Sequence, residues 1–271
     1  MALKKLIIMT FFKLHIQIFI FLSFLFCSCK TKDKKNTNEK INLSIDKNAQ
    51  KKKTKDTNNF FISNENLKKS IVDVQSINPN IKIELKYATT DNFMRIKLYE
   101  TINRAYLQKD VAQRLASCQK YLETINPGYS LLIYDAIRPV SVQQKMWDAL
   151  DSLPPDERSK FVSNPQNRSN HNFGAAIDLT ICDENNNPLD MGAEYDDIRE
   201  IAYPRLEKKF LKSGELKAIH IANRELLRKI MRSQNFTNIT TEWWHFNACS
   251  REEATKKYKV LMSEKEFTIN E

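Results

Sequence analysis

The sequence predicts an α+β domain in which an antiparallel sheet is flanked by helices. Ile81 to Tyr87 alternates apolar and polar residues, the pattern of a half-buried strand. Asp110 to Ile125 and Ile219 to Gln234 instead carry apolar residues at helical spacing. Strands and helices are mixed without a strict βαβ rhythm. With only four glycines there is also no glycine-rich phosphate loop, which argues against a doubly wound parallel sheet.

The elements follow in chain order. Met1 to Lys13 carries Lys4, Lys5 and Lys13, and Ile16 to Phe26 is apolar apart from Gln17 and Ser23. A basic start followed by a short apolar run predicts a secretory signal over residues 1–29. The run is shorter than the roughly 20 residues of a membrane span. It ends in Phe26-Cys27-Ser28-Cys29, which resembles a bacterial lipoprotein cleavage site with Cys29 as the lipidated residue. Phe26 and Cys27 depart from the usual small residues, so an ordinary signal peptide is the other reading. Residues 30–66 are rich in Lys, Asn and Thr and predict a disordered tether. Residues 1–59 hold 13 lysines against four acids, a net of +9 of the chain's +10. The remainder is nearly neutral, so the basic balance does not point to nucleic acid.

Residues 67–271 form the predicted folded domain. Val111, Leu115, Cys118 and Leu122 mark the inner face of the first long helix, which Asp110 is placed to cap and Asn126-Pro127-Gly128 stops. Tyr129 to Ala136 reads as a strand ending at Arg138-Pro139. Ser141 is the expected cap of a helix through Leu150, and Pro154-Pro155 breaks the chain. Ala176 to Ile181 predicts a short buried strand. Leu226, Leu227, Ile230 and Met231 face inward from the second long helix, and Phe236 to Phe246 reads as one aromatic strand. Cys118, Cys182 and Cys249 do not make a disulfide framework. Cys182 and Cys249 each lie four residues past a candidate ligand, and on antiparallel neighbours those positions diverge.

The chemistry gathers in two segments. Ser169 to Asp178 supplies His171 and Asp178; Glu242-Trp243-Trp244-His245 supplies Glu242 and His245, in a chain with only four histidines. A catalytic zinc needs three protein ligands and an open position. His171, Asp178 and His245 match that need, with Glu242 as a carboxylate free to act as base. Asp178 stands in the apolar run Ala-Ala-Ile-Asp-Leu-Thr-Ile, where a bare charge is costly unless a cation or hydrogen bonds compensate. A structural Asp held by backbone amides, and an aromatic core strand with a satisfied histidine, remain the plainer readings. Arg138, at a strand end and fixed by Pro139, is placed to stabilise an oxyanion; a surface salt bridge to Asp135 is its alternative. His220 opens a helix away from these motifs and reads as structural.

Three pieces together resemble one family. Ser-x-His-x-x-Gly-x-Ala-x-Asp at 169–178, Glu-Trp-Trp-His at 242–245 and Tyr-Asp-x-x-Arg-Pro at 134–139 resemble the zinc D-alanyl-D-alanine dipeptidases. Leu85 to Phe93 and Met191-Gly192-Ala193-Glu194-Tyr195-Asp196 resemble two further segments of that family. The resemblance implies the fold shared by D,D-peptidases and the Hedgehog signalling domain. It also implies one Zn2+ on His171, Asp178 and His245, Glu242 as catalytic base, and Arg138 stabilising the tetrahedral intermediate. Ser169 and Tyr87 would line the substrate site, and Asp196 would hold the substrate ammonium. Asn172 and Phe173 would flank the pocket, and residues 197–218 match no family motif. The expectation is an exported, periplasmic-side lipoprotein that hydrolyses D-Ala-D-Ala or a similar D-amino-acid dipeptide in cell-wall peptide turnover. A D,D-carboxypeptidase or endopeptidase acting on wall peptides, and a zinc-binding module without activity, are the rival expectations.

Overall fold

The computed structural model describes residues 70–267. The expected signal, Cys29 and the tether lie outside the described residues. No helix among the described residues is long and apolar enough to cross a membrane.

Two strands make the centre of the domain. β4 (Ser130–Asp135) and β5 (Ala176–Cys182) are buried at every position. Strands covered on both faces can be apolar throughout, which is why both sequences lack alternation. They pair antiparallel, and the full sheet order is β2-β4-β5-β7-β6, with β2 (Lys82–Ile83), β6 (Thr237–Asn238) and β7 (His245–Asn247). β2 joins β4 in parallel, so the sheet is mixed at one edge and antiparallel elsewhere. Parallel neighbours need a long crossover. Here it contains β3 (Tyr106–Gln108), which pairs separately with β1 (Ile71–Asp73), and the helix that follows it.

That helix, which follows the short α1 (Val74–Ile77), is α2 (Lys109–Ile125). It buries Val111, Leu115, Cys118 and Leu122 on one face, as their spacing predicts. Its cap is Gln108 and not Asp110. Asp110 lies in the first turn and accepts from Lys257 Nζ (2.5 Å) and Tyr258 OH (2.7 Å). α3 (Val140–Asp148) is capped by Pro139, two residues before the expected cap Ser141, and is followed by α4 (Pro155–Arg158). α5 (Glu207–Ser213) and α6 (Ala218–Arg232) fill the stretch without a recognised motif and the second long helix; α6 packs against α2. α7 (Arg251–Lys257) follows the last strand. The cysteines at 118, 182 and 249 are free, as expected.

Three departures from the expected elements shape the site. The strand expected over Ile81–Tyr87 ends at Ile83, and the chain turns through a 3-10 segment at Lys86–Ala88 that buries Tyr87. The strand expected over Phe236–Phe246 is split into β6 and β7. Asn238 Nδ2 closes the turn between them, donating to Glu242 O (2.9 Å) and His245 O (2.8 Å). In a regular strand Glu242 and His245 would face opposite sides; the split removes that constraint. The third departure is a bulge in β4. Ser130 to Ile133 pair in register with Cys182 to Leu179, but Asp178 then pairs with Asp135, skipping Tyr134. One extra residue moves the following side chain to the other face. Because Asp178 also pairs with His245, a row Asp135–Asp178–His245 crosses three strands.

A C-terminal strap lies across this region. Leu261 N–H donates to Asn172 O (2.8 Å), and Leu261 O accepts from Val140 N–H (3.0 Å). The strap is fastened by Glu264, whose carboxylate accepts from the N–H groups of Glu100, Thr101 and Ile102 and from the Thr101 hydroxyl.

Candidate metal centre and catalytic cleft

His171 is carried by a 3-10 turn, Asn170–Phe173, which Gly174 ends in the left-handed conformation (φ +65°). A Cβ at Gly174 would stand 3.2 Å from Gln108 N, so both backbone and space favour glycine. The turn brings His171 beside the strand row. His171 Nε2 is 3.3 Å from Asp178 Oδ1 and 3.2 Å from His245 Nδ1, and the latter two atoms are 2.9 Å apart. A tetrahedral zinc with bonds of about 2.0–2.1 Å has ligand–ligand edges of about 3.3 Å. The two nitrogens and one oxygen therefore form a face of the right size, and three ligands leave one position open. This His/His/Asp cluster can hold a single Zn2+.

Each ligand is oriented from behind. His171 Nδ1 bonds Ala136 O at 2.6 Å, which turns Nε2 toward the cluster. His245 Nε2 bonds Asn247 Oδ1 (3.0 Å), which also accepts from Asn170 Nδ2 (2.8 Å), leaving Nδ1 for the metal. Asp178 offers Oδ1 while its Oδ2 accepts from Tyr195 OH (3.1 Å) and Arg138 Nη2 (3.4 Å). Burial opposes its charge, but His171 and His245 outweigh burial and hold Asp178 well below the usual carboxylate range.

Arg138 is buried. Its Nε and Nη2 bond Asp135 Oδ2 at 2.8 and 2.6 Å, and its guanidinium lies 5.0 Å from the centre of the Tyr87 ring. The partner Asp135 is the one named by the salt-bridge alternative, but the pair is internal and reaches the metal cluster through Asp178. Tyr99 OH fixes the other oxygen of Asp135.

Glu242 stands outside the triangle of donors, its Oε2 3.9 Å from His245 Nδ1, with a side chain 34 % exposed. Burial within the site pushes its carboxyl upward. It lines a cleft together with Asp196, Trp244, Tyr203, Phe93 and Lys160. Asp196 adopts a left-handed backbone (φ +60°), a conformation that costs a non-glycine residue about 1–3 kcal/mol and recurs at functional sites. Its Oδ1 accepts from Tyr87 OH (3.1 Å), but its buried Oδ2 has no hydrogen-bond partner. Burial, and then the charge of Asp178, push Asp196 well above the usual range. The neighbouring Asp197, and not Asp196, takes Arg199 in a salt bridge (2.6 Å).

Seven of the expected site residues thus converge: His171, Asp178, His245, Glu242, Arg138, Tyr87 and Asp196. Ser169 is the cap of the turn before His171, and its hydroxyl donates to Gln143 Oε1 (2.8 Å). His220 is structural, as expected: its Nδ1 accepts from Lys217 N–H at the start of α6, and its Nε2 meets Asp190 (3.1 Å). Sequence reasoning gave no role to Tyr195 or Asn247, and placed Asn172 only as flanking the pocket; it is buried, and its Nδ2 ties Arg138 O (2.7 Å) to the turn that carries His171. Tyr195 was signalled by its place beside Asp196; Asn247 had no signal beyond proximity to His245.

Known proteins give a consistent picture. The peptidase M15 family model, described as D-ala-D-ala dipeptidase, matches residues 67–263. A D-alanyl-D-alanine dipeptidase of Escherichia coli (strain K12) is 37 % identical over 176 residues, 65 % of this chain and 83 % of the relative. One from Synechocystis sp. is 30 % identical over 168 residues, 52 % of this chain and 68 % of the relative. One from Enterococcus faecalis is 32 % identical over 181 residues, 61 % and 85 % of the two chains. With the match covering most of the chain and the metal cluster assembled inside it, the chain belongs to the D-Ala-D-Ala dipeptidase family of zinc peptidases.

Proposed function

We propose that the protein is an exported zinc dipeptidase that hydrolyses D-Ala-D-Ala or a similar short D-amino-acid dipeptide during turnover of cell-wall peptides. The single observation that carries the dipeptidase reading is the orphaned Oδ2 of Asp196, a buried carboxylate oxygen in the cleft shared with Glu242. Leaving such an atom unpaired is costly. A substrate ammonium close to the scissile bond relieves it, and a peptide with a blocked amino end does not.

His171, Asp178 and His245 would hold the zinc, which when bound would supply a Lewis acid for the scissile carbonyl and the attacking water. Glu242 takes the water's proton and delivers it to the leaving amine. Arg138, locked by Asp135, faces the charge that develops on the carbonyl oxygen. Tyr87 holds Asp196 in place, and Trp244 helps wall the cleft from water. Ser169 acts from the edge of the site, by capping the turn that presents His171.

The test is kcat/KM on D-Ala-D-Ala and on its N-acetylated form. The wild type should prefer the free dipeptide about 10–150-fold, the worth of one charge-assisted hydrogen bond. Equal rates would contradict the dipeptidase reading and move the carboxypeptidase reading ahead.

The leader supports export, with residues 1–29 as signal, 30–66 as tether and 67–271 as the catalytic domain. Lipid on Cys29 would fasten the domain to a membrane surface. An exported enzyme cannot intercept dipeptide in the cytosol, so scavenging of wall fragments fits better than antibiotic resistance. Fractionation checks this: native protein should sit with membranes and Cys29→Ser should not. Native protein found wholly in the cytosol would overturn export.

A further inference from the structure

We propose that Arg224 is a positioning residue for the cleft: its guanidinium clamps both ends of the loop 191–201 and so sets where Tyr195 and Asp196 stand. The inference rests on the dipeptidase reading above and adds a residue that acts on Asp196 from outside the cleft. Between residue 191 and the 3-10 turn Glu200–Ala202 the chain forms neither helix nor strand. The middle of this loop nevertheless has defined partners. Tyr195 OH donates to Asp178 Oδ2 (3.1 Å), and Asp196, with its left-handed backbone (φ +60°), accepts from Tyr87 OH (3.1 Å). A strained backbone of this kind persists only where its surroundings fix it.

Helix α6 supplies that fixing. Arg224 Nε donates to Met191 O (2.7 Å) and Nη2 donates to Ile201 O (3.1 Å), so one planar group joins the two ends of the loop. One residue earlier, Asn223 Nδ2 donates to Asp190 O (2.8 Å), and His220 Nε2 meets the Asp190 carboxylate at 3.1 Å. The loop also lies directly on the helix. A Cβ at Gly192 (φ +72°) would stand 2.4 Å from His220 Nδ1, so only glycine lets the backbone come this close.

The plainer role for a buried arginine is charge pairing, and the distances argue against it. The Arg224 side chain is wholly buried, yet its contact with Glu207, at 3.5 Å, is longer than either bond to the loop. Glu207 is taken by Arg228 instead, through bonds of 2.8 and 2.9 Å. A buried cation is costly unless its donors are met. Here the closer acceptors are main-chain carbonyls of the loop. A lysine would keep the charge without the planar fork, so it would not hold both ends in one geometry.

The experiment uses the full-length, zinc-loaded enzyme with D-Ala-D-Ala and its N-acetylated form. Arg224→Lys should lose about 10-fold in kcat/KM on the free dipeptide, mainly through KM, which is less than the full worth of the Asp196 contact. Its rate on the N-acetylated form and its zinc content should stay near wild type. In an Asp196→Ala background the same substitution should cost almost nothing, because residues that act through one contact are not additive. Asn223→Ala, which removes a partly exposed bond to the loop, should show the same pattern with a smaller loss, and it decides the matter if Arg224→Lys does not fold. Arg228→Met is the control: it disturbs the same Glu207 and should lower stability with the preference for free dipeptide kept. A folded Arg224→Lys enzyme with the wild-type preference overturns the inference and leaves the dipeptidase reading intact; where that variant does not fold, an Asn223→Ala enzyme with the wild-type preference does the same. So does a loss that adds to that of Asp196→Ala, or one that Arg228→Met reproduces. A wild type without the preference contradicts the dipeptidase reading, and the inference falls with it.

Discussion

At the metal end of the cleft, each of the three ligands has a partner behind it: Ala136 O for His171, Asn247 for His245, Tyr195 and Arg138 for Asp178. At the other end, Asp196 stands on a loop with an unpartnered oxygen. The first region spends its hydrogen-bonding capacity on itself; the second keeps some in reserve. The difference follows from what each must do. A small metal face tolerates little movement, because its edges must stay near the tetrahedral value. A substrate site gains affinity from groups whose bonds are completed only on binding.

Three variants probe that contrast. The largest effect should come from Arg138, which belongs to the metal end by its contacts and is proposed to act on the transition state. Arg138→Lys should lower kcat by about 10²–10³, because a point charge does not reproduce the planar fork held by Asp135. A lysine variant with near wild-type kcat, measured at saturating substrate, would demote the residue to a structural ion pair. Asp196→Ala should cost less, about 10–150-fold in kcat/KM on free dipeptide. It should leave the N-acetylated substrate nearly untouched and the zinc content unchanged. If it loses metal instead, the two ends are not independent.

The smallest effect on chemistry should come from Glu264, which fastens the strap over the turn of His171. Burial opposes its charge, but the N–H groups of Thr101, Glu100 and Ile102 and the Thr101 hydroxyl outweigh burial and hold its pKa below the ordinary 4.5. A depressed folded-state pKa gives stability that is complete above the unfolded value and lost as pH falls through the folded one. Glu264→Ala should therefore cost about 1–3 kcal/mol at neutral pH, with kcat/KM of the folded enzyme unchanged. The gap to wild type should shrink in acid below pH 4.5. A gap that is constant from neutral pH down to the acid limit, by denaturant titration, would mean the strap does not depend on the carboxylate's charge.

The metal end was the more legible in the sequence, for a physical reason. An aspartate inside Ala176–Cys182 is out of place in a buried strand unless something cationic meets it, and histidines are scarce in this chain. The long helices and both central strands were legible from periodicity and from β-rich apolar runs. The bulge at Tyr134 was not, although it puts Asp135 in the same row as Asp178. A bulge needs no particular residue here, so it leaves no mark. The split between β6 and β7 was hidden for a similar reason: β-branched and aromatic residues continue through the turn, and the closing bonds come from one ordinary asparagine, Asn238.

The division of labour between ligands and base is tested most directly by zinc content and kcat measured together for wild type, His245→Ala and Glu242→Ala. The wild type should carry one zinc per chain and lose its activity on chelation. His245→Ala should lose both metal and activity. Glu242→Ala should retain its zinc and fall by at least about 10² in kcat. A Glu242→Ala protein that loses its metal, or a metal-free wild type with full activity, would contradict the assignment.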